Sequence, residues 1–185
     1  MQFLISLVLT FFVSLCAQAA FTEAVTGADV ITGKEQQLQF STAKKATVLV
    51  FLSAKCPCSD SHIEILRKLS DDFKDFQFVG VHSNADETAD ITKTYFQEKK
   101  LPFPVLQDHK SVLANRFGAL KTPHVFVVDK KGELLYHGGV TDSHVGPSAK
   151  KNFLKDVLED VQAGKVPRHK EGRALGCYIQ REDEA

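Results

Sequence analysis

The triplet Cys56-Pro57-Cys58 is where residue types and spacing first point to chemistry in this 185-residue sequence. It lies in Ser53-Ala54-Lys55-Cys56-Pro57-Cys58-Ser59-Asp60, between a continuous apolar run and a segment of helical period. Proline is tolerated in the first turn of a helix, because the N–H it lacks would have no intrahelical partner there. A cysteine just before it meets the unpaired N–H groups and positive dipole end of that helix, which stabilise a thiolate and make Cys56 a nucleophile. Lys55 works in the same direction and Asp60 against it. A thiolate so placed can exchange disulfides, reduce a peroxide or bind a soft metal ion.

Cys56 needs a partner for disulfide chemistry, and Cys58 is a poor one. Two residues apart across a proline, the pair is badly placed for a bridge that wants about 5.5 Å between Cα atoms. Cys177 is the other candidate. It lies in Leu175-Gly176-Cys177-Tyr178-Ile179, an apolar patch in an otherwise charged tail, and such a patch should dock. Cys177 could resolve an oxidised Cys56, staple Cys58, or stay free.

Residues 3–16 are an apolar run followed by Ala17-Gln18-Ala19, with small residues where a signal peptidase needs them. The sequence therefore predicts a signal peptide over 1–19, cleavage after Ala19, and export to a periplasm or the cell exterior. Lipidation at Cys16 is the minor alternative, since residues 13–16 make a poor lipobox. Cleavage removes one of four cysteines, and an odd number in an exported protein leaves at least one thiol reactive, metal-bound or paired elsewhere. The mature chain should have no stable membrane span. With 23 basic and 23 acidic side chains the net charge is zero, which argues against binding nucleic acid through its charge.

The elements that must position Cys56 follow from hydrophobic period. Residues 46–53 form a continuous β-branched and aromatic run, the pattern of a central strand buried on both faces. Residues 59–73 place Ile63, Leu66, Leu69 and Phe73 on one helical face. A second buried strand follows over 76–82, then a helix over 87–100 with Ile91 and Tyr95 inward and Asp86 as a possible start. A short extended piece at 105–106, a short helix at 111–117, a strand at 125–129, a turn at 130–132, a hairpin partner at 133–138 and a helix over 148–163 complete the pattern. Pro147-Ser148 would open that last helix. A hairpin at 29–40 precedes the central strand. Asp142-Ser143-His144 contains the residue types of a triad, but adjacency is not triad geometry, and the segment reads as a loop. The alternation implies one α/β domain over 20–164, a central mixed β-sheet flanked by helices, and an irregular tail over 165–185.

The strand VLVFLSAKCP, Thr122-Pro123 before VFVVD, and the turn KKG followed by ELLYHGG occur here in the order found in one superfamily. Over roughly residues 46–164 the chain resembles the thioredoxin-like superfamily, in its redoxin branch of AhpC/TSA, TlpA and ResA-like proteins. The resemblance implies a thioredoxin-like fold. It also implies a cis peptide before Pro123, with Thr122 and Pro123 beside the reactive cysteine and the substrate backbone. The chain departs from the thioredoxin pattern at Ser59, where that pattern has its second cysteine. Some redoxins resolve the nucleophile with a distant C-terminal cysteine, which is what the resemblance implies for Cys177.

The leading expectation is an exported thiol–disulfide oxidoreductase acting through Cys56, with Cys58 or Cys177 resolving and an external thiol reductant or oxidant resetting it. Its partners would be protein or small-molecule disulfides, and no motif asks for a cofactor. A peroxiredoxin-like antioxidant peroxidase is the first alternative, because Ser53 lies three residues before Cys56, where peroxiredoxins carry Thr or Ser. Against it, position 49 is leucine rather than their proline, and the nearest cations to Pro123 in sequence are Lys121 and Arg116 rather than an adjacent arginine. A Cu(I) module is the second alternative, with Cys56, Cys58, His62 and His124 as ligands. His62 could instead shuttle protons, or be an exposed helix histidine.

Overall fold

The structure is a computed structural model that describes residues 21–182. The segment over 1–19 expected to be a signal peptide, with Cys16, lies outside the described residues. The chain opens with a hairpin of β1 (Val25–Ala28) and β2 (Glu35–Leu38), whose turn is held by Asp29, its Oδ1 accepting from the N–H groups of Ile31 and Thr32. There follow β3 (Ala46–Leu52), α1 (Pro57–Asp72), β4 (Gln77–His82), α2 (Ala89–Lys99), β5 (Val105–Gln107), α3 (Val112–Phe117), β6 (Lys121–Thr122), β7 (His124–Asp129), β8 (Leu134–Gly138), α4 (Phe153–Gln162) and β9 (Cys177–Tyr178). No described helix is long and apolar enough to cross a membrane.

Five strands make one mixed sheet in the order β5-β4-β3-β7-β8. β3 is its centre, parallel to β4 and antiparallel to β7, and every residue of β3 is buried. Successive side chains of a strand point to opposite faces, so β3 feeds two cores. Val48, Val50 and Leu52 pack with Leu66 and Leu69 of α1, Phe96 of α2, and Leu154, Val157 and Leu158 of α4. Leu49 and Phe51 pack on the other face with Leu113 and Phe117 of α3, Val25 of the hairpin, and Ile179 from the tail. The unbroken apolar run of β3 is thus the mark of a strand covered on both sides, and it delivers residues 53–56 to the end of the sheet where α1 begins.

Four elements differ from the expectations. The hairpin expected over 29–40 spans Val25–Leu38 because residues 29–34 form its turn, and the tail expected to be irregular carries the short strand β9 because it pairs with β6. The helix expected over 87–100 begins at Ala89, capped by the Thr88 side chain, and buries Thr92 and Phe96, while Ile91 is 44% exposed and Tyr95 half-buried. Its inward face is turned by one residue, and Glu87, read as part of the helix, lies outside it with its carboxylate on the Cys56 loop. The last helix begins at Phe153 rather than at 148. Gly146–Ser148 form a separate 3-10 turn, and the Asn152 side chain accepts from Lys155 N–H to cap α4.

Candidate active site

Cys56 is the N-cap of α1, with extended backbone (φ −82°, ψ 114°) and Pro57 in the first turn. It is disulfide-bonded to Cys177, with Cα atoms 5.9 Å apart and a sequence separation of 121. β9 reaches it by pairing antiparallel with β6, Thr122 opposite Cys177 and Lys121 opposite Tyr178. Thr122–Pro123 is a cis peptide, and the Thr122 carbonyl oxygen lies 3.2 Å from Cys56 Sγ. The tail that composition marks as apolar therefore docks as a short strand along the residues just before Pro123. Ile179 is buried, its N–H donating to Leu120 O at 3.0 Å, and Ala85 N–H donates to Gln180 O at 2.8 Å. Arg181 adds bonds to Asn115 Oδ1 and Ala119 O.

The tail approaches so closely that side chains are excluded along its path. A Cβ on Gly176 would overlap the Thr122 carbonyl, and one on Gly138 of β8 would overlap Gly172. Gly176→Ala should therefore lift β9 from β6 and lower the fraction of Cys56–Cys177 bond at least tenfold in a fixed dithiol buffer, read by thiol alkylation and mass mapping. An alanine variant that closes the bond as readily as the parent chain would show that this contact does not position Cys177.

The loop between β3 and α1 is held by a group absent from the sequence reading. Glu87 has a fully buried side chain. Its carboxylate accepts from the Ser53 hydroxyl, from Ala54 N–H at 2.7 Å, from Lys55 N–H at 3.4 Å and from His82 Nε2 at 3.0 Å. Ser53 Oγ in turn accepts from Cys56 N–H at 3.0 Å, and Ser59 Oγ accepts from Ser53 N–H at 3.3 Å. Burial pushes the Glu87 carboxyl up, but the bonds from His82, Ser53 and Ala54 outweigh it and hold the pKa below the ordinary glutamate value. A depressed folded-state pKa adds stability above the unfolded pKa, and that stability is lost as pH falls through the folded one. Glu87→Gln should thus cost about 1–3 kcal/mol at neutral pH, the scale for hydrogen bonds to a charged group. In urea titrations the gap to the parent chain should narrow below the ordinary glutamate range; a gap as wide in acid as at pH 7 would contradict this.

Lys55 turns outward, its ammonium donating to Asp86 O at 2.6 Å and lying 3.7 Å from the Asp86 carboxylate. Asp60 is paired with Lys99, and this contact, with Tyr95, lowers its pKa despite burial. Cys58 is half-buried and is the free cysteine among the described residues. Its Sγ is 3.7 Å from His144 Nδ1.

His62 is buried rather than an exposed helix histidine. Nδ1 is 2.7 Å from the Cys58 carbonyl, which only accepts, so the proton sits there and Nε2 accepts from Thr141 Oγ1 at 2.8 Å. Burial lowers its pKa, partly offset by the Cys58 carbonyl. His62 ties the first turns of α1 to the segment after β8. The His124 ring lies against Phe126, centroids 4.5 Å apart and planes tilted by 39°, and its Nδ1 accepts from Leu120 N–H. Burial, with His137 and Lys121 nearby, pushes its pKa down to about 4.

The structure does not assemble the copper set of Cys56, Cys58, His62 and His124. Both nitrogens of His62 and Nδ1 of His124 are engaged within the protein. The ligand atoms that do come together are the sulfurs of Cys56, Cys58 and Cys177, all within 4.8 Å of one another. The cations weighed for a peroxidase are engaged in other contacts. Arg116 donates to the carbonyls of Ala24 and Glu23, and the Lys121 ammonium lies over the Tyr178 ring.

The AhpC/TSA family profile matches residues 19–137. Among solved structures, an uncharacterized conserved protein from Geobacillus kaustophilus is 24% identical, with a TM-score of 0.79 over 89% of this chain and 92% of that one. A hypothetical protein from Sinorhizobium meliloti 1021 is also 24% identical, with a TM-score of 0.78 over 90% and 97%. A secreted Mycobacterium tuberculosis disulfide oxidoreductase homologous to E. coli DsbE is 19% identical, with a TM-score of 0.57 over 75% and 95%. These likenesses establish the thioredoxin-like architecture. No curated protein matches the chain.

Proposed function

We propose that this chain, which belongs to the AhpC/TSA family, is an exported thiol–disulfide oxidoreductase whose redox couple is Cys56 and Cys177. The observation that carries this is the bond between a cysteine at a helix N-cap and one on a strand docked beside Thr122–Pro123. In the reduced chain the Cys56 thiolate attacks one sulfur of a substrate disulfide, and the other sulfur leaves as a thiolate. Cys177 then attacks Cys56 Sγ, the Cys56–Cys177 bond forms, and the second substrate thiol departs. The substrate gains two electrons, the chain loses two, and an external dithiol of lower potential restores it. Run in reverse, the same steps oxidise a substrate dithiol.

Each step has a residue to serve it in this chain. The α1 N-terminus favours the Cys56 thiolate both before attack and when Cys56 leaves. Glu87, Ser53 and Ser59 fix the loop that aims it, and Pro123 with Thr122 borders the substrate. Cys56 is 3% exposed with the bond closed, so residues 176–178 must lift for a substrate to reach its sulfur. The commitment of the Arg116 guanidinium to the Ala24 and Glu23 carbonyls favours a disulfide over a peroxide as substrate, since peroxide cleavage needs a cation on the developing charge. The apolar run and Ala17-Gln18-Ala19 support export.

The test is turnover of an insulin-type disulfide substrate by the mature chain with a dithiol reductant. Catalysis well above the reductant alone is expected. No catalysis with any dithiol, together with fast and selective oxidation of Cys56 by hydrogen peroxide, would overturn the reading.

A further inference from the structure

Cys58 has no part in that cycle, yet its sulfur lies within 4.8 Å of both members of the couple. Cys56 is buried, whereas Cys58 and Cys177 are each half-buried. A reductant from outside therefore finds the leaving sulfur shielded and the other two accessible. Beside Cys58 stands His144, from the Asp142-Ser143-His144 loop, and that loop is fastened to the first turns of α1. Ser61 Oγ donates to His144 O at 3.2 Å and accepts from Gly146 N–H at 3.2 Å, while Thr141 bonds His62. Asp142 anchors the far side through the N–H groups of Lys150 and Lys151. The imidazole is thus delivered to the free thiol by contacts on both sides of it.

We propose that Cys58 is a third exchanging thiol that moves the disulfide from Cys56–Cys177 to Cys58–Cys177, with His144 accepting its proton; this rests on the redox couple proposed above. The Cys58 proton passes to His144 Nδ1, and the Cys58 thiolate attacks Cys177 Sγ. The Cys58–Cys177 bond forms as the Cys56–Cys177 bond breaks, and the electron pair leaves on Cys56 Sγ. That sulfur is the best leaving group of the three, because it departs onto the N-terminus of α1. The exchange itself oxidises and reduces nothing. Its result is a free Cys56 thiolate and a disulfide carried by the two accessible sulfurs, where an external thiol completes the reset.

The experiment follows the full mature chain, oxidised on Cys56–Cys177, during reduction by glutathione, with acid quenching, differential alkylation and peptide mass mapping. The parent chain should pass through a Cys58–Cys177 species with Cys56 alkylated. Cys58→Ser should still form Cys56–Cys177, which shows that it folds, but should be reduced at least tenfold more slowly. His144→Ala should slow reduction severalfold, and added imidazole should restore the rate, which repair of a merely structural defect would not do. Reduction of Cys58→Ser at the parent rate with no Cys58–Cys177 species at any time would overturn the relay and leave the couple intact. Failure of the parent chain to form Cys56–Cys177 at all would overturn the couple and the relay with it.

Discussion

Cys56→Ser is expected to abolish disulfide turnover, with a loss of at least about a thousandfold. A serine hydroxyl is not ionised at neutral pH and is a far weaker nucleophile toward sulfur than a thiolate. Neither remaining thiol substitutes, because Cys58 lies inside the first turn of α1 rather than at its cap, and Cys177 is on the tail. The fold should survive, since β3 and α1 are held by two apolar cores and by the Glu87 contacts rather than by this sulfur. Insulin-type turnover beside a circular dichroism spectrum checks both points. A folded variant keeping more than a tenth of parent activity would place the nucleophile elsewhere.

Cys177→Ser should have a different signature. The first attack needs only Cys56, so a substrate disulfide still reacts, but the mixed disulfide has lost its resolving thiol. The variant should accumulate as a covalent adduct visible by non-reducing electrophoresis and intact mass, with steady-state turnover down by about a hundredfold or more. Ile179 and the β6–β9 pairing stay in place, so loss of the fold does not account for the adduct. Rapid resolution without accumulation would assign that step to Cys58.

Much of this site is legible in the sequence, for physical reasons that also mark the limit. The apolar run 46–53 can only be a strand covered on both faces, and Pro57 fixes where the following helix begins, so Cys56 at a helix N-terminus follows from local rules. The apolar 175–179 patch signals docking because exposed apolar surface in a charged tail is costly. Its destination is set by strand pairing to residues 121–122, which no local period encodes. Glu87 escapes because an acidic residue after Asp86 and before a helical period looks like a first-turn helix residue. The available signal is His82, a polar residue ending a buried strand that needs a hydrogen-bonding partner, with Glu87 five positions on. His62 is similar. Its spacing of four from Cys58 puts it one turn along, but only the segment after β8, supplying Thr141, explains why it is buried and its pKa lowered.

Cys56 and Cys177 are expected to behave as a reversible redox couple in the folded chain. The decisive measurement equilibrates the protein across a series of dithiol redox buffers, then traps thiols with acid and alkylating reagent and maps the peptides. Cys56 and Cys177 should open and close together in one reversible two-electron transition, without unfolding. A Cys56 that stays alkylatable at every potential, or a Cys56–Cys177 bond that opens only once the chain is denatured, would contradict it.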